Sequence, residues 1–429
     1  MLTITNQLTR PQHDFIFSAS KFPLLAGGLG SGKTKGGTGR IIKLLLSDAG
    51  TNGAYYMPTY DLLRLRGITG VIEDLRESYG FSQSDFSLNK SENIIRLHGY
   101  GSIIFRSYDN PERIVAYEVA HSIVDELDTL KKEKADFVWR KVVERNRQVC
   151  LHPYGNTVGC VTTLDQGEEG FCYDKWGKEL QDGYQIIKAS TYSNPFLPSD
   201  YIDSILKNYS PELARLYVDG EFVNLSGMSL FNTENLLTDG KPVKMPASSN
   251  SVFCVIDTAI KDGQKHDCTA ITFFSFDIYP TPQLTILDWD LVQIQGAFLD
   301  EWIPSQIEQL RHFSNICNPR AGMTAWVEDK ASGTMLLQKL GHYLKPLPSK
   351  MTAIGKSGRA IACSGAVYNG KVKITEHAFN KVMAVKGDRK NHLLSQIGAF
   401  RIGIDNGADD LLDTFCYGAL LTVSDINDY

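Results

Sequence analysis

The chain has 429 residues, with 44 Lys and Arg against 49 Asp and Glu, a net charge of −5. Apolar residues at 42% and charged residues at 22% are ordinary globular usage, which excludes disordered, collagenous and coiled-coil classes; the length implies two or three domains. No apolar run reaches the roughly 18 residues that span a bilayer, the N-terminal MLTITNQLTRPQHDF lacks the apolar stretch of a secretory signal, and eight scattered cysteines without a CxxC pair point to reduced thiols in a cytosolic protein.

Residues 1 to about 224 alternate short apolar strands with amphipathic helices. The strands are FPLLAG (22–27), GAYYMP (53–58), SIIFRS (102–107), HSIVDE (121–126) and TVGCVTT (157–163). This alternation predicts a parallel sheet covered on both faces. A stretch rich in Gly, Pro, Ser and Asn (225–250) reads as a linker. From 251 to 429 three close apolar strands, SVFCVIDTA, TAITFFSFD and LTILDWDLV, predict an antiparallel meander. A helix (297–311), a strand TAWVED (324–329), a helix (333–341) and a final helix opening at DDLLDTFCYGALLTV follow.

GGLGSGKT (Gly27, Gly28, Leu29, Gly30, Ser31, Gly32, Lys33, Thr34) fits GxxxxGK[ST], between a strand and a helix. Glycines let backbone N–H groups curl around phosphates, the lysine reaches the β/γ oxygens, and the threonine hydroxyl can ligate Mg²⁺. HSIVDE supplies the partner acids: Asp125 for the Mg²⁺ shell and Glu126 to activate water for ATP hydrolysis. A solvated acidic pair at a helix start is the plain alternative. Gln12 can bond an adenine edge or be a surface glutamine. Thr162 and Thr163 can sense the γ-phosphate or serve β-propensity.

The C-terminal half carries acids at strand ends: Asp257 in SVFCVIDTA, Glu328 and Asp329 closing TAWVED, and Asp409, Asp410 and Asp413 opening the last helix. Such clusters could converge on two divalent ions, Mg²⁺ or Mn²⁺, and cut a phosphodiester. Each acid alone has a structural alternative, such as a helix cap for Asp409. Between 331 and 400, eleven Lys and Arg face only Glu376 and Asp388, a local excess of +9 suited to a phosphate backbone, or else a solvated lysine-rich face.

These motifs in this order (PQHDF, GGLGSGKT, YYMPTYD, NPER, AHSIVDELD, CVTTLDQGEEG, YSNPFLPSDY, YVDGEF, VIDTA, VEDKASGT, KSGRA, DDLLDTFCYGA) resemble the large terminase subunit of tailed bacteriophages over nearly the whole chain. The resemblance implies a P-loop ATPase motor domain of the RecA/ASCE-like α/β class over 1–224, with a lid subdomain at about 190–224. It implies an RNase H-like, RuvC-type nuclease over 251–429. It further implies a pentameric homo-oligomeric ring on the portal protein of a prohead in the host cytoplasm, double-stranded DNA as substrate, and a small terminase subunit as partner. By the same resemblance Gln12 contacts adenine, Thr162 and Thr163 form the coupling motif, and Arg113 is a trans-acting finger, with Arg140, Arg145 and Arg147 as competitors. Asp257 is the first metal aspartate. Relatives use the Glu328 or the Asp329 position for the second, with Asp329 preferred here, and Asp410, Asp413 or both for the third. Two rival readings are a helicase or repair ATPase that cuts junctions, and an ATPase with a non-cutting RNase H-like module.

Overall fold

A computed structural model describes residues 7–150, 155–206, 209–258, 268–279, 281, 283–294, 298–329, 332–403 and 409–424. The chain forms two compact units, Met1–Leu206 with Pro211–Leu225, and Lys207–Ser210 with Ser226–Tyr429. Among the described residues no helix is long and apolar enough to cross a membrane.

The first unit is built on an eight-stranded sheet. Its strands are β1 (Phe22–Gly27), β2 (Gly53–Met57), β3 (Phe86–Asn89), β4 (Ile94–Leu97), β5 (Gly101–Ser107), β6 (His121–Asp125), β7 (Thr157–Thr162) and β8 (Tyr184–Ala189). They lie in the order β3-β4-β5-β2-β6-β7-β1-β8. Pairing is parallel from β5 through β8, and β3–β4–β5 is an antiparallel extension. β2 and β6 are buried at every position, as parallel strands covered on both faces must be. One strand, β7, separates the P-loop strand β1 from the acidic strand β6. That is the P-loop NTPase arrangement, in which the spacing leaves room for a water between the phosphates and an acid.

Helix α1 (Arg10–Ile16) opens on a capping box: Thr9 Oγ1 accepts from the Gln12 backbone, and the Gln12 side chain accepts from the Thr9 N–H. It docks on helix α2 (Lys33–Ser47) through Arg40, which is fully buried. Arg40 donates to the carbonyls of Phe15 (2.6 Å) and Ser18 (3.0 Å), satisfying acceptors at the C-terminal end of α1. Burial pulls the guanidinium down to about 9, so it keeps its charge at neutral pH.

The second unit has a six-stranded mixed sheet of β9 (Ser251–Asp257), β10 (Thr269–Asp277), β11 (Gln283–Val292), β12 (Met323–Val327), β13 (Leu344–Pro346) and β14 (Val372–Ile374), in the order β13-β12-β9-β10-β11-β14. β9, β10 and β11 form the expected antiparallel meander, and β12 returns parallel to β9 on its other side. This is RNase H-like topology. Val252, Cys254 and Ile256 pack into the core shared with the helix Leu299–Cys317. By strand alternation Phe253, Val255 and Asp257 face the other side. The helix Asp410–Leu420 covers that side so closely that a Cβ on Gly418 would lie 2.4 Å from the Phe274 ring.

The stretch 225–250 holds a short turn, Thr233–Leu236, and a parallel bridge from Val243 to Thr375. The helix anticipated at 297–311 runs over Leu299–Cys317 and carries Pro304 inside it.

Candidate functional site

The loop after β1 packs tightly on itself. A Cβ on Gly27 would lie 2.4 Å from Ser31 Oγ and 2.7 Å from Lys33 Cγ. Gly32 sits at φ +83, a left-handed conformation that starts α2. Lys33 is buried and donates to the Gly28 carbonyl at 3.1 Å. The N–H groups of Gly28 and Leu29 are bonded to the carbonyls of Ala189 and Tyr217. Gln12 Nε2 donates to the Gly32 carbonyl at 3.0 Å, which fixes the amide beside the loop with one N–H beyond that bond.

A second segment clasps this loop and was not singled out residue by residue in the sequence. Thr191 Oγ1 donates to the Leu29 carbonyl (2.7 Å) and Asn194 to the Gly30 carbonyl (2.6 Å). A Cβ on Gly28 would meet the Val218 carbonyl at 2.3 Å, Thr191 Oγ1 at 2.5 Å and the Tyr217 carbonyl at 2.8 Å.

Asp125 ends β6, fully buried, with Oδ2 accepting from Tyr55 Oη at 2.7 Å. Its Oδ1 has no hydrogen-bond partner among the described residues. Burial and then Glu126 raise its pKa to about 7, while Tyr55, Thr34 and Lys33 pull the other way. The acceptor set thus fits a cation held by Asp125 and Thr34, and the equally orphaned Ser31 Oγ lies in the loop where phosphate oxygens would arrive.

Glu126 holds φ 59, ψ 38, a left-handed conformation uncommon for a side chain of this size. It is pinned by Thr129 Oγ1 donating to its carbonyl and by its own N–H bonded to Val161. Its Oε2 approaches the Thr163 N–H at 3.5 Å, so Thr163 meets the carboxylate while Thr162 Oγ1 bonds back to the Thr163 carbonyl. A further acid, Asp165, joins this group: burial, then Glu126 and Asp128, raise its pKa to about 7, with Lys33 opposing. The only sequence signal for it was its place in CVTTLDQGEEG.

Arg113 is exposed in the turn Pro111–Arg113, which follows β5. Its competitors are engaged: Arg140 pairs with Asp136 (3.0 Å), Arg145 with Glu144 (3.4 Å) and Arg147 with Glu118 (2.9 Å).

In the second unit Asp257 is brought against Asp413, Asp410 and Glu328. Burial first, then these three charges in that order, raise its pKa to about 8. Asp329 is exposed and accepts from Thr334 Oγ1 (2.8 Å); it is not among the largest charges acting on Asp257. Of this adjacent pair it is Glu328, rather than the preferred Asp329, whose charge is among the largest felt at Asp257. Asp413 accepts from Arg359 (2.7 Å) and lies 3.4 Å from Lys356, which also holds Asp409 at 2.5 Å. Part of the basic 331–400 stretch thus neutralises this acidic cluster. A half-buried carboxyl crowded by three others, with only oxygen donors, suits a hard divalent cation.

A family model described as terminase large subunit, T4-like-virus type, N-terminal, matches residues 24–238. Among solved structures, the large terminase of a thermophilic bacteriophage in complex with ATP-γ-S is 13% identical. The match covers 97% of this chain and 99% of that one at a TM-score of 0.65. The same phage protein in complex with ADP aligns at 13% identity, covering 96% and 98%, with a TM-score of 0.64. No curated protein sequence matches.

Proposed function

The chain belongs to the terminase large-subunit family, and from that premise we propose that it is an ATP-driven motor moving double-stranded DNA into a prohead and a metal-dependent endonuclease. The observation that carries the first activity is the orphaned Asp125 Oδ1 beside Thr34 and the strained Glu126. ATP is bound by Gly27–Thr34, with Lys33 on the β/γ oxygens and Gln12 at the adenine. Phosphate contacts fall to the N–H groups of Gly30 and of Gly32 onward, since those of Gly28, Leu29 and Ser31 are already bonded. Mg²⁺ held by Thr34 and Asp125 would neutralise phosphate charge. Glu126 accepts a proton from the attacking water, and Arg113 of a neighbouring subunit stabilises charge on the γ-phosphoryl oxygens. Thr191 and Asn194 link the loop to the 190–224 segment, a physical route from hydrolysis to movement.

In the nuclease, divalent ions held by Asp257, Glu328, Asp410 and Asp413 would supply an activated water and stabilise the leaving oxygen. Asp329, next to Glu328, orients Thr334. The assembly is a homo-oligomeric ring, pentameric as in the family, docked on the portal, with a small terminase subunit selecting DNA.

One pair of variants tests both activities on the full chain. Glu126→Gln is expected to lower ATP turnover by about 10²–10⁴-fold with ATP binding retained. Asp257→Ala is expected to abolish plasmid cleavage in Mg²⁺ and Mn²⁺ with ATPase unchanged. Wild-type turnover in the first, or cleavage in the second, rejects the corresponding assignment.

A further inference from the structure

At the edge of the first sheet away from the nucleotide loop lies a second cluster of chemically distinct donors. Asp48 ends α2, His121 opens β6, and Cys150 follows the helix Lys132–Arg145. Asp48 and His121 are buried and Cys150 is partly so, and one ligand atom from each lies within 4.8 Å of the others. His121 and Asp125 are the two ends of the same five-residue strand, roughly 13 Å apart at the usual strand rise, so this cluster is separate from the ATP site.

We propose that Asp48, His121 and Cys150 form a zinc site that ties the end of the P-loop helix to the start of the acidic strand.

Four observations carry it. The His121 Nε2 to Asp48 Oδ2 distance is 3.4 Å. A charge-assisted hydrogen bond would bring these atoms to about 2.7–2.9 Å. Two ligands about 2.0–2.2 Å from one tetrahedral ion stand roughly 3.3–3.5 Å apart, so the spacing matches the edge of such a site. Second, the other ring nitrogen, Nδ1, is bonded to Thr157 Oγ1 at 3.1 Å, the outer-shell contact that fixes the tautomer of a ligating imidazole. Third, Asp48 puts a buried carboxylate at the C-terminal end of α2, where the helix dipole is already negative and the last turn contains no basic residue. Negative charge from both the carboxylate and the helix end favours a bound cation. Fourth, one carboxylate, one thiolate and a neutral imidazole cancel the charge of a divalent ion, so the filled site adds no net charge to the interior. Mixed N, O and S donors select zinc over Mg²⁺, which takes all-oxygen shells, and water completes the fourth position.

The test uses the full-length protein. Purified without chelator, it is expected to retain about one zinc per chain. With Co²⁺ in place of zinc it should show a thiolate-to-cobalt charge-transfer band, which the all-carboxylate cluster around Asp257 cannot produce. Cys150→Ser, at a partly exposed position, should abolish that band and release the metal. Thr157→Val should keep the band and weaken affinity about 10–100-fold. Absence of the band in the wild type, or its persistence in Cys150→Ser, overturns the site. So does zinc content unchanged between the wild type and Cys150→Ser.

Discussion

Asp257 illustrates what a single side chain can be asked to hold. A carboxyl whose pKa is raised from 3.8 to about 8 binds more protons folded than unfolded between those values. Stability contributed by its neutral form is therefore present at low pH and lost as pH rises through 8. Asp257→Asn removes that burden. In EDTA the variant should be more stable than the wild type at about pH 9, by at least about 1.4 kcal/mol, the equivalent of one pKa unit. The difference should shrink as pH falls and vanish only below about pH 3.8, where the carboxyl is neutral in both states. Mn²⁺ should reverse the order, because only the aspartate can trade its proton for a metal. Denaturant titrations at the two pH values decide it, and parallel pH slopes for both proteins would refute it. The cause is local: three acids from two other segments gathered around one half-buried position. Sequence reading found all of these acids but preferred Asp329 to Glu328, since nothing in a pair of adjacent acids just past a strand tells which one turns toward Asp257.

At the scale of elements, the informative contact is the clasp from Thr191 to the Leu29 carbonyl. Thr191 is fully buried, so Thr191→Val keeps the shape and leaves that carbonyl without its donor. We expect a loss of about 1–3 kcal/mol, with the KM for ATP rising, as read by thermal unfolding and steady-state kinetics. An unchanged KM would remove the clasp from the nucleotide cycle. Sequence patterns found β1, β2, β5, β6 and β7 because these strands are apolar runs. They missed β8, whose residues are mostly half-buried at a sheet edge, and the hairpin β3–β4, whose strands have four residues each. Asp165, Thr191 and Asn194 were missed for another reason. They reach the site from loops, where no periodicity marks a residue's direction.

For the whole molecule, each unit has its own apolar core, one around α2 and β2 and one around β9 and the helix Leu299–Cys317. Two cores predict two unfolding transitions rather than one. ATP-γ-S should raise one of them and Mn²⁺, with Asp257 intact, the other, each by about 2.7 kcal/mol at a hundredfold excess over Kd. Calorimetry with one ligand at a time checks this, and a single transition moved by both would contradict it. The net charge of −5 is likewise a sum over unlike regions. The excess of +9 between 331 and 400 is partly internal, since Lys356 and Arg359 are committed to Asp409 and Asp413. Fewer of those charges remain for a phosphate backbone than the count alone implies.

The crowding at Gly28 has a consequence for how this chain can drift. In GxxxxGK[ST] that position is a wildcard, open to any residue by the logic of phosphate binding alone. Here two carbonyl oxygens and a hydroxyl occupy the space a side chain would need. The pattern that a search recognises is therefore shorter than the pattern the molecule enforces. Saturation mutagenesis of the loop would find an intolerant site where the signature allows freedom. Its only suppressors would be changes in the distant segment 191–218, so the two stretches can change only together.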